Sequence, residues 1–557
     1  MAYKVGDLGN DLLIGIDGEI NNLFGDADDS LSAVDRGGDD TLIGGAAAPE
    51  NWLYGDAVFL NVATGGNDSL RGGDEHTLLN RLFGDGLTLT MSTGGNDILT
   101  GGASARENFL FGDAFTLTSA SIGGDDIITG GARSADDLLY GDAYDMEAST
   151  GGDDLLTAGV GAVYNHLHGD ARQMALSMAG DDTLIGGSNS HDALFGDAVA
   201  MAGSVGGNDI LAAGTGPLEI LFFGDAALMA SSTGGDDALT GAERCDSYLV
   251  GDGGTMTHSQ GGDDTLTAGG TALGPTTSNR FFGDAEEMFD SSGGNDVLTA
   301  IGFSGDNELY GDAARMTLST GGDDTLTGGA ADDLNLIVGD AGEMAGSQGG
   351  DDVLIGARGS FENYLYGDAF HMTSSTGGDD SLFGSGFEAI SLHGDAAVMT
   401  NSAGGDDLLV GGANTIFANW FYGDAVHGEQ GAVGGADRLV SGENAEDHMW
   451  GDFGTQDGIA TGGADTFVFM PQNGTDYVYD FRKGEDTIEL TGFGFPPIPS
   501  AVWARLPAKV FSHVLQKVTD VMIETVGADT IIHFGESNSV TVLNVANLTG
   551  SDFHIIA

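Results

Sequence analysis

The chain has 557 residues, with 97 Gly, 8 Pro and 1 Cys, and 17 Lys+Arg against 86 Asp+Glu give a formal net charge of -69. This balance excludes the basic surface that a nucleic-acid partner needs, and the single cysteine, Cys245, excludes a disulfide framework. At 41% apolar residues disorder is not expected, yet no run of 18 apolar residues predicts a transmembrane segment. The opening Met1-Ala2-Tyr3-Lys4-Val5-Gly6-Asp7 has neither the basic nor the apolar part of a signal peptide, so any export is expected to use another signal.

Two short signatures alternate along the chain. One is Gly-Gly-Asp/Asn-Asp-x-Leu, as in Gly37-Gly38-Asp39-Asp40-Thr41-Leu42; the other is Asn-x-Leu-Tyr/Phe-Gly-Asp-Ala, as in Asn51-Trp52-Leu53-Tyr54-Gly55-Asp56-Ala57. The second occurs sixteen times, its glycine running from Gly25 to Gly451, which gives a mean period of 28.4 residues. A fixed period of this size is the mark of a solenoid. Each repeat has two apolar anchors, one starting Leu13, Leu42, Leu70 and Leu99, the other Leu23, Leu53, Leu82 and Leu110. Both lie in short glycine-bounded segments, which predicts parallel strands stacked coil upon coil. The segment from second anchor to next first anchor is 17 residues long in twelve of sixteen cases, whereas the return segment varies from 10 to 15. Constant length marks individually placed residues, so the constant segment is where an ordered site is expected.

That segment is bracketed by aspartates. The first column is Asp11, Asp40, Asp68, Asp97, Asp126, Asp154, Asp182, Asp209, Asp237, Asp264, Asp296, Asp324, Asp352, Asp380, Asp407, Asp437 and Asp465. The second is Asp26, Asp56, Asp85, Asp113, Asp142, Asp170, Asp197, Asp225, Asp252, Asp284, Asp312, Asp340, Asp368, Asp395, Asp424 and Asp452. Parallel rungs stack about 4.8 Å apart. Unit charges at that distance repel by about 3–4 kcal/mol at an effective dielectric near 20. Summed over two columns this exceeds any domain's stability, and the few Lys and Arg cannot offset it. A hard dication with oxygen ligands can, which points to multiple Ca²⁺, roughly one per coil, rather than Mg²⁺. Acidity serving solubility alone would scatter its charges instead.

Other columns read as structural. The residue before the first aspartate is Asp ten times (Asp39, Asp125, Asp153) and Asn five times (Asn10, Asn67, Asn96, Asn208, Asn295), which share an oxygen ligand. The second strand carries Asn21, Asn51, Asn80, Asn108, Asn165, Asn279, Asn307, Asn335, Asn363 and Asn419, an expected amide ladder that needs no metal. Calcium is therefore expected on the constant-length edge and the amides on the variable one. Ten methionines from Met146 to Met399 share a position with Leu60, Leu89 and Leu117, and so form a packing column. Phe24, Tyr54, Phe83, Phe111, Tyr140 and Phe195 form an aromatic column, with His168 and His393 as substitutions in it rather than a catalytic pair.

The pattern resembles the RTX (repeats-in-toxin, hemolysin-type) nonapeptide Gly-Gly-x-Gly-x-Asp-x-Leu-x: Gly38-Asp39-Asp40-Thr41-Leu42 matches its core, and Asn51-Trp52-Leu53 matches Asp-x-Leu with Asn for Asp. The resemblance implies a parallel β-roll with Ca²⁺ in its turns. The coil here is about ten residues longer than two nonapeptides, which favours metal on one edge. Beyond Gly462, the runs Thr475-Asp476-Tyr477-Val478 and Gly484-Glu485-Asp486-Thr487-Ile488, with the ending Ser551-Asp552-Phe553-His554-Ile555-Ile556-Ala557, resemble the C-terminal region of RTX proteases and epimerases. In those proteins this region caps the roll and carries the type I secretion signal. Asp529-Thr530-Ile531-Ile532 and Val540-Thr541-Val542-Leu543 read as further cap strands.

The expectation is thus an all-β chain: a parallel β-roll or β-helix solenoid of about 16 coils over 1–463 and a β cap with a secretion region over 464–557. No His-Glu dipeptide offers a zinc helix, and none of Lys4, Lys483, Lys509 or Lys517 precedes Ser or Thr as a P-loop requires. The expected function is a non-enzymatic, secreted, extracellular or cell-surface protein that folds on external Ca²⁺. It would be a building block of a surface layer, matrix or filament, self-assembling end to end or binding cell-surface polysaccharide. The alternatives are an adhesive, ice- or carbohydrate-binding solenoid and, further off, a carbohydrate-active enzyme.

Overall fold

The computed structural model describes residues 1–557 except 34, 243–244, 270–277, 301–304, 330–333, 358–359, 361, 386–388, 495–503, 507, 519–520, 536 and 557. The longest return segment, between the anchors Leu266 and Phe281, includes residues 270–277, which lie outside the described residues. The chain forms two compact units, Met1–Ala272 with Arg280–Gly294, and Leu273–Asn279 with Asn295–Ala557. Both are parallel β-solenoids, the first carrying ten of the Gly-Asp corners and the second six.

A coil has three strands, one more than the two anchors foretell. In the coil that begins at Thr41, the strand Thr41–Ile43 holds the first anchor, Asn51–Tyr54 the second, and Ala57–Asn61 follows directly on the Gly55-Asp56 corner. These give a leucine sheet, an asparagine–aromatic sheet and a third, methionine sheet. The extra strand lies inside the constant segment, as the five residues Ala57–Asn61 do between the Gly55-Asp56 and Gly65-Gly66 corners, and a paired strand held between two glycine corners accounts for the fixed length. Its inward positions are the first and fourth residues, as in Ala114 and Leu117 of Ala114–Thr118, while Phe115 faces outward.

Stacking keeps like on like. In the first unit Leu42 pairs Leu70, Leu70 pairs Leu99 and Leu99 pairs Ile128; in the second, Leu326, Leu354, Leu382, Leu409, Leu439 and Phe467 follow in register. All these anchors are buried. The methionine column is a packing column: Leu89, Leu117, Met146 and Met174 stack in register and are buried. Aromatic rings stack face to face from Phe24 through Tyr54 and Phe83 to Phe111 at centroid distances of 4.9–5.0 Å. His168 continues that stack between Tyr140 and Phe195.

The amide ladder forms as expected. Asn21 Nδ2 donates to Asn51 Oδ1 at 2.7 Å, Asn51 to Asn80 at 2.8 Å and Asn80 to Asn108 at 2.8 Å. In the second unit the same bonds join Asn279, Asn307, Asn335 and Asn363 at 2.8–2.9 Å. At its C-terminal end the second unit adds the antiparallel hairpin Val521–Val526 and Asp529–Phe534, and Asn538–Val542 pairs antiparallel to the latter and parallel to Thr475–Val478. A helix, Ala508–Val518, packs there with Phe511 and Leu515 fully buried. Among the described residues no helix is long and apolar enough to cross a membrane.

Candidate metal-binding columns

Each coil turns two corners inward. The Gly55-Asp56 corner joins the aromatic strand to the methionine strand; Gly65-Gly66-Asn67-Asp68 joins the methionine strand to the next leucine strand. Both carboxylates point into the coil. Asp56 and Asp85 are 0% exposed, Asp68 and Asp97 1–2%. The first column is tied along the stack, since the Asp40 N–H donates to Asp68 Oδ1 and the Asp68 N–H to Asp97 Oδ1, both at 2.6 Å. The second column is tied across the coil, where the Gly66 N–H lies 3.2 and 3.1 Å from the two Asp56 oxygens.

These bonds leave one oxygen over on rung after rung. Oδ2 of Asp40, Asp68, Asp97, Asp126, Asp154, Asp182, Asp209 and Asp237, and of Asp352, Asp380, Asp407, Asp437 and Asp465, is buried and has no hydrogen-bond partner, and the same holds for Oδ2 of Asp197, Asp340, Asp368, Asp395 and Asp424. The leftover oxygens converge with backbone. A Cβ placed on Gly55 would stand 1.6 Å from Gly84 O and 1.9 Å from Asp68 Oδ2; one on Gly84 would stand 1.7 Å from Gly112 O and 1.9 Å from Asp97 Oδ2. Only glycine fits, and a carbonyl and a carboxylate oxygen therefore meet at each corner. The two columns meet as well: carboxylate oxygens of Asp170, Asp182 and Asp197 all lie within 4.8 Å of one another. Two ligands on opposite sides of a Ca²⁺ at 2.3–2.6 Å stand about 5 Å apart, so this spacing admits a shared ion of that size. The donor set, all oxygen from carboxylates and glycine carbonyls, fits the same ion.

The electrostatics make the same demand. Burial, and then the neighbouring carboxylates, push Asp56, Asp85, Asp97 and Asp126 well above the carboxylate range and Asp68 to about 9. In the second unit burial raises Asp340, Asp352 and Asp380 well above it and Asp395 to about 7. Near neutral pH such groups need either a proton or a cation. Where the second column ends, a cation is supplied by the chain: Arg482 Nη2 lies 2.9 Å from Asp452 Oδ2.

Sequence reasoning placed the aspartates of both columns but missed what closes them. Asp486 extends the first column, accepting the Asp465 N–H at 3.2 Å, and its Gly484-Glu485-Asp486-Thr487-Ile488 setting carries the same Gly-x-Asp-x-Leu-like signal. Asp480 accepts the N–H groups of Gly451 and Asp452 at 2.8 and 3.0 Å. A buried serine column was also missed: the Ser149 N–H donates to Ser177 Oγ and the Ser177 N–H to Ser204 Oγ at 3.2–3.3 Å. The position before the first column, by contrast, stays at the surface. Asp125, Asp153 and Asp181 are exposed, each accepting the next rung's N–H at 2.9–3.2 Å. His168 and His393 are buried in their stacks, which lowers each to about 3 and keeps the rings neutral. No protein-family model, no curated protein and no solved structure matches the chain.

Proposed function

We propose that this chain is a calcium-loaded structural solenoid of the RTX type, secreted and acting outside the cell as a building block of a surface layer, matrix or filament. The observation that carries the reading is the buried, unpartnered Oδ2 of the first aspartate column, repeated from Asp40 to Asp237 and again from Asp352 to Asp465 and set beside a glycine carbonyl at corner after corner. An isolated buried carboxylate is costly unless paired or metal-bound. With both columns charged and no metal, the coil would lose more than it gains from its apolar anchors. Calcium binding then supplies folding free energy, because the unfolded chain holds no preformed site. The two aspartate columns hold the metal; the asparagine, methionine and aromatic columns hold the shape. On this reading the solenoid is itself the function and the chain performs no catalysis.

The experiment is a titration of EGTA-treated protein with Ca²⁺ at neutral pH, followed by far-UV circular dichroism and isothermal calorimetry. Strand signal should appear on calcium addition with on the order of one ion per coil; strand signal in full chelator with no heat on titration would overturn the reading. Export is tested by fusing residues 464–557 to a reporter in a host with a type I system. The carbohydrate-binding alternative has one observation behind it, a shallow groove of about 720 Å³ on the outer methionine sheet of the first unit, with Thr116, Gln173, Leu228 and Thr255 along it. Retention on immobilised polysaccharide that is lost in Gln173→Trp would favour it.

A further inference from the structure

Cations are scarce in this chain and unevenly placed. Of its four lysines, Lys483, Lys509 and Lys517 lie in the C-terminal 94 residues, and the thirty residues 490–519 contain Arg505, Lys509, His513 and Lys517 but no acid. The structure brings part of this set to one cleft of about 380 Å³ between the helix Ala508–Val518 and the strand Val521–Val526. Lys509, Ser512, His513 and Gln516 line the helix side, at spacings that share one helix face, and Thr525 and Asn547 line the other. Lys483 Nζ donates to the Asn547 carbonyl at 2.8 Å, which places a second ammonium at that wall. Among the described residues no carboxylate lines the cleft. The strand's own acid, Glu524, is not among the lining residues and pairs instead with His533 at 3.1 Å. The cleft thus offers donors and positive charge, and its walls are held by Ser512 Oγ, which donates to Ile523 O at 3.1 Å.

We propose that this cleft is a carboxylate socket and that its occupant is the exposed aspartate column of a second copy of this chain. Charge complementarity selects that occupant. Asp323, Asp351, Asp379 and Asp406 stand exposed on successive rungs, and Asp125, Asp153 and Asp181 do so in the first unit, a regular anionic stripe present at the same concentration as the socket. The contact is cap to flank, so it is heterologous and extends into open assemblies rather than closing a dimer. Its purpose rests on the building-block reading above, while the contact itself does not depend on which ion fills the buried columns.

The test uses the full chain in millimolar calcium. Sedimentation is compared at about 0.01 M and about 1 M salt, between which the Debye length falls from about 30 to about 3 Å. Carbodiimide cross-linking of a mixture of ¹⁴N- and ¹⁵N-labelled protein identifies intermolecular Lys–Asp links. The inference expects association at low salt only, mixed-isotope links from Lys509 or Lys483 to the exposed aspartates, and association at least about tenfold weaker, roughly 1.4 kcal/mol, in Lys509→Glu/Lys483→Glu. Circular dichroism establishes that the variant is folded, and Lys509→Gln/Lys483→Gln serves if it is not. Association that persists at high salt or in the folded variant overturns the inference. A folded wild-type chain that stays monomeric at low salt overturns it too, as does one whose links join only other lysines or whose cleft takes soluble polygalacturonate while copies stay apart. A folded, associating chain in chelator would sink the calcium reading and leave this one standing.

Discussion

Each aspartate of the first column does two things with its two oxygens, and the two can be separated by substitution. In Asp126, Oδ1 takes the N–H of the rung before it, which an amide oxygen would do equally well; Oδ2 has no protein partner, and only a cation or a proton satisfies it. Asp126→Asn therefore keeps the ladder bond and removes the charge. In calcium it should destabilise the fold by about 1–3 kcal/mol, the cost of losing a charged hydrogen-bonding partner, and lower the ion count by one. In chelator it should do the reverse and stabilise, because one buried charge is gone. Denaturant midpoints in the two buffers check this, and the same sign in both would contradict the role given to Oδ2. Gly84→Ala tests the opposite wall of the site. Its Cβ would meet Gly112 O and Asp97 Oδ2 below 2 Å, so at least about 1–3 kcal/mol of overpacking strain is expected, with loss of an ion seen by calorimetry. The aspartates were legible in the sequence because they recur beside glycine at a fixed spacing. Which oxygen is spare was not, since that depends on the register of one rung against the next.

At the scale of the strand and its ladder, the leucine and asparagine–aromatic strands could be read from their anchors, but the methionine strand could not. Its inward residues are three apart, as in Ala114 and Leu117, and the register between Gly86–Thr90 and Ala114–Thr118 pairs Gly86 with Ala114 and Thr88 with Thr116 but leaves out Leu87 and Phe115. That irregularity removes the alternation by which a strand is recognised. The helix Ala508–Val518 was also overlooked. Its signal, apolar Phe511 and Leu515 four residues apart, is only three turns long and stands beside strand-like runs such as Asp529-Thr530-Ile531-Ile532. The amide ladder was legible in its asparagines but not in Asp137, Asp192 and Asp447, which accept from Asn108, Asn165 and Asn419, and it supplies a control for the metal columns. Asn80 is fully buried, accepts from the Gly73 N–H at 2.9 Å and donates to Asn108 Oδ1 at 2.8 Å. Asn80→Ala leaves those partners unsatisfied and should cost about 1–3 kcal/mol for each buried group so exposed. It should leave the calcium stoichiometry unchanged; a lost ion would mean that the two edges of the coil are not independent.

Over the whole molecule, protons and dications compete for the same oxygens, and this sets the pH dependence. Burial raises Asp40 to about 7 and Asp68 to about 9. A carboxylate raised in the folded state binds more protons folded than unfolded between its ordinary value and its raised one. Its stabilising contribution is therefore present below the unfolded range and lost as pH rises through the folded value. Without calcium the solenoid should be most stable in acid and lose stability from about pH 4 upward through about 7–9. With saturating calcium the trend should invert, since metal binding requires deprotonated ligands. Thermal melting across that pH range with and without chelator reads both slopes, and parallel profiles would contradict the shared site.

The most direct test of calcium as a structural component is metal content set against fold in one preparation. Protein refolded from denaturant at neutral pH in calcium-free buffer should show no strand circular dichroism, gain it on adding Ca²⁺ but not Mg²⁺ at equal concentration, and then carry on the order of one calcium per coil by plasma mass spectrometry. A chain that recovers its full strand signal and cooperative melting at neutral pH with no bound metal would contradict the account.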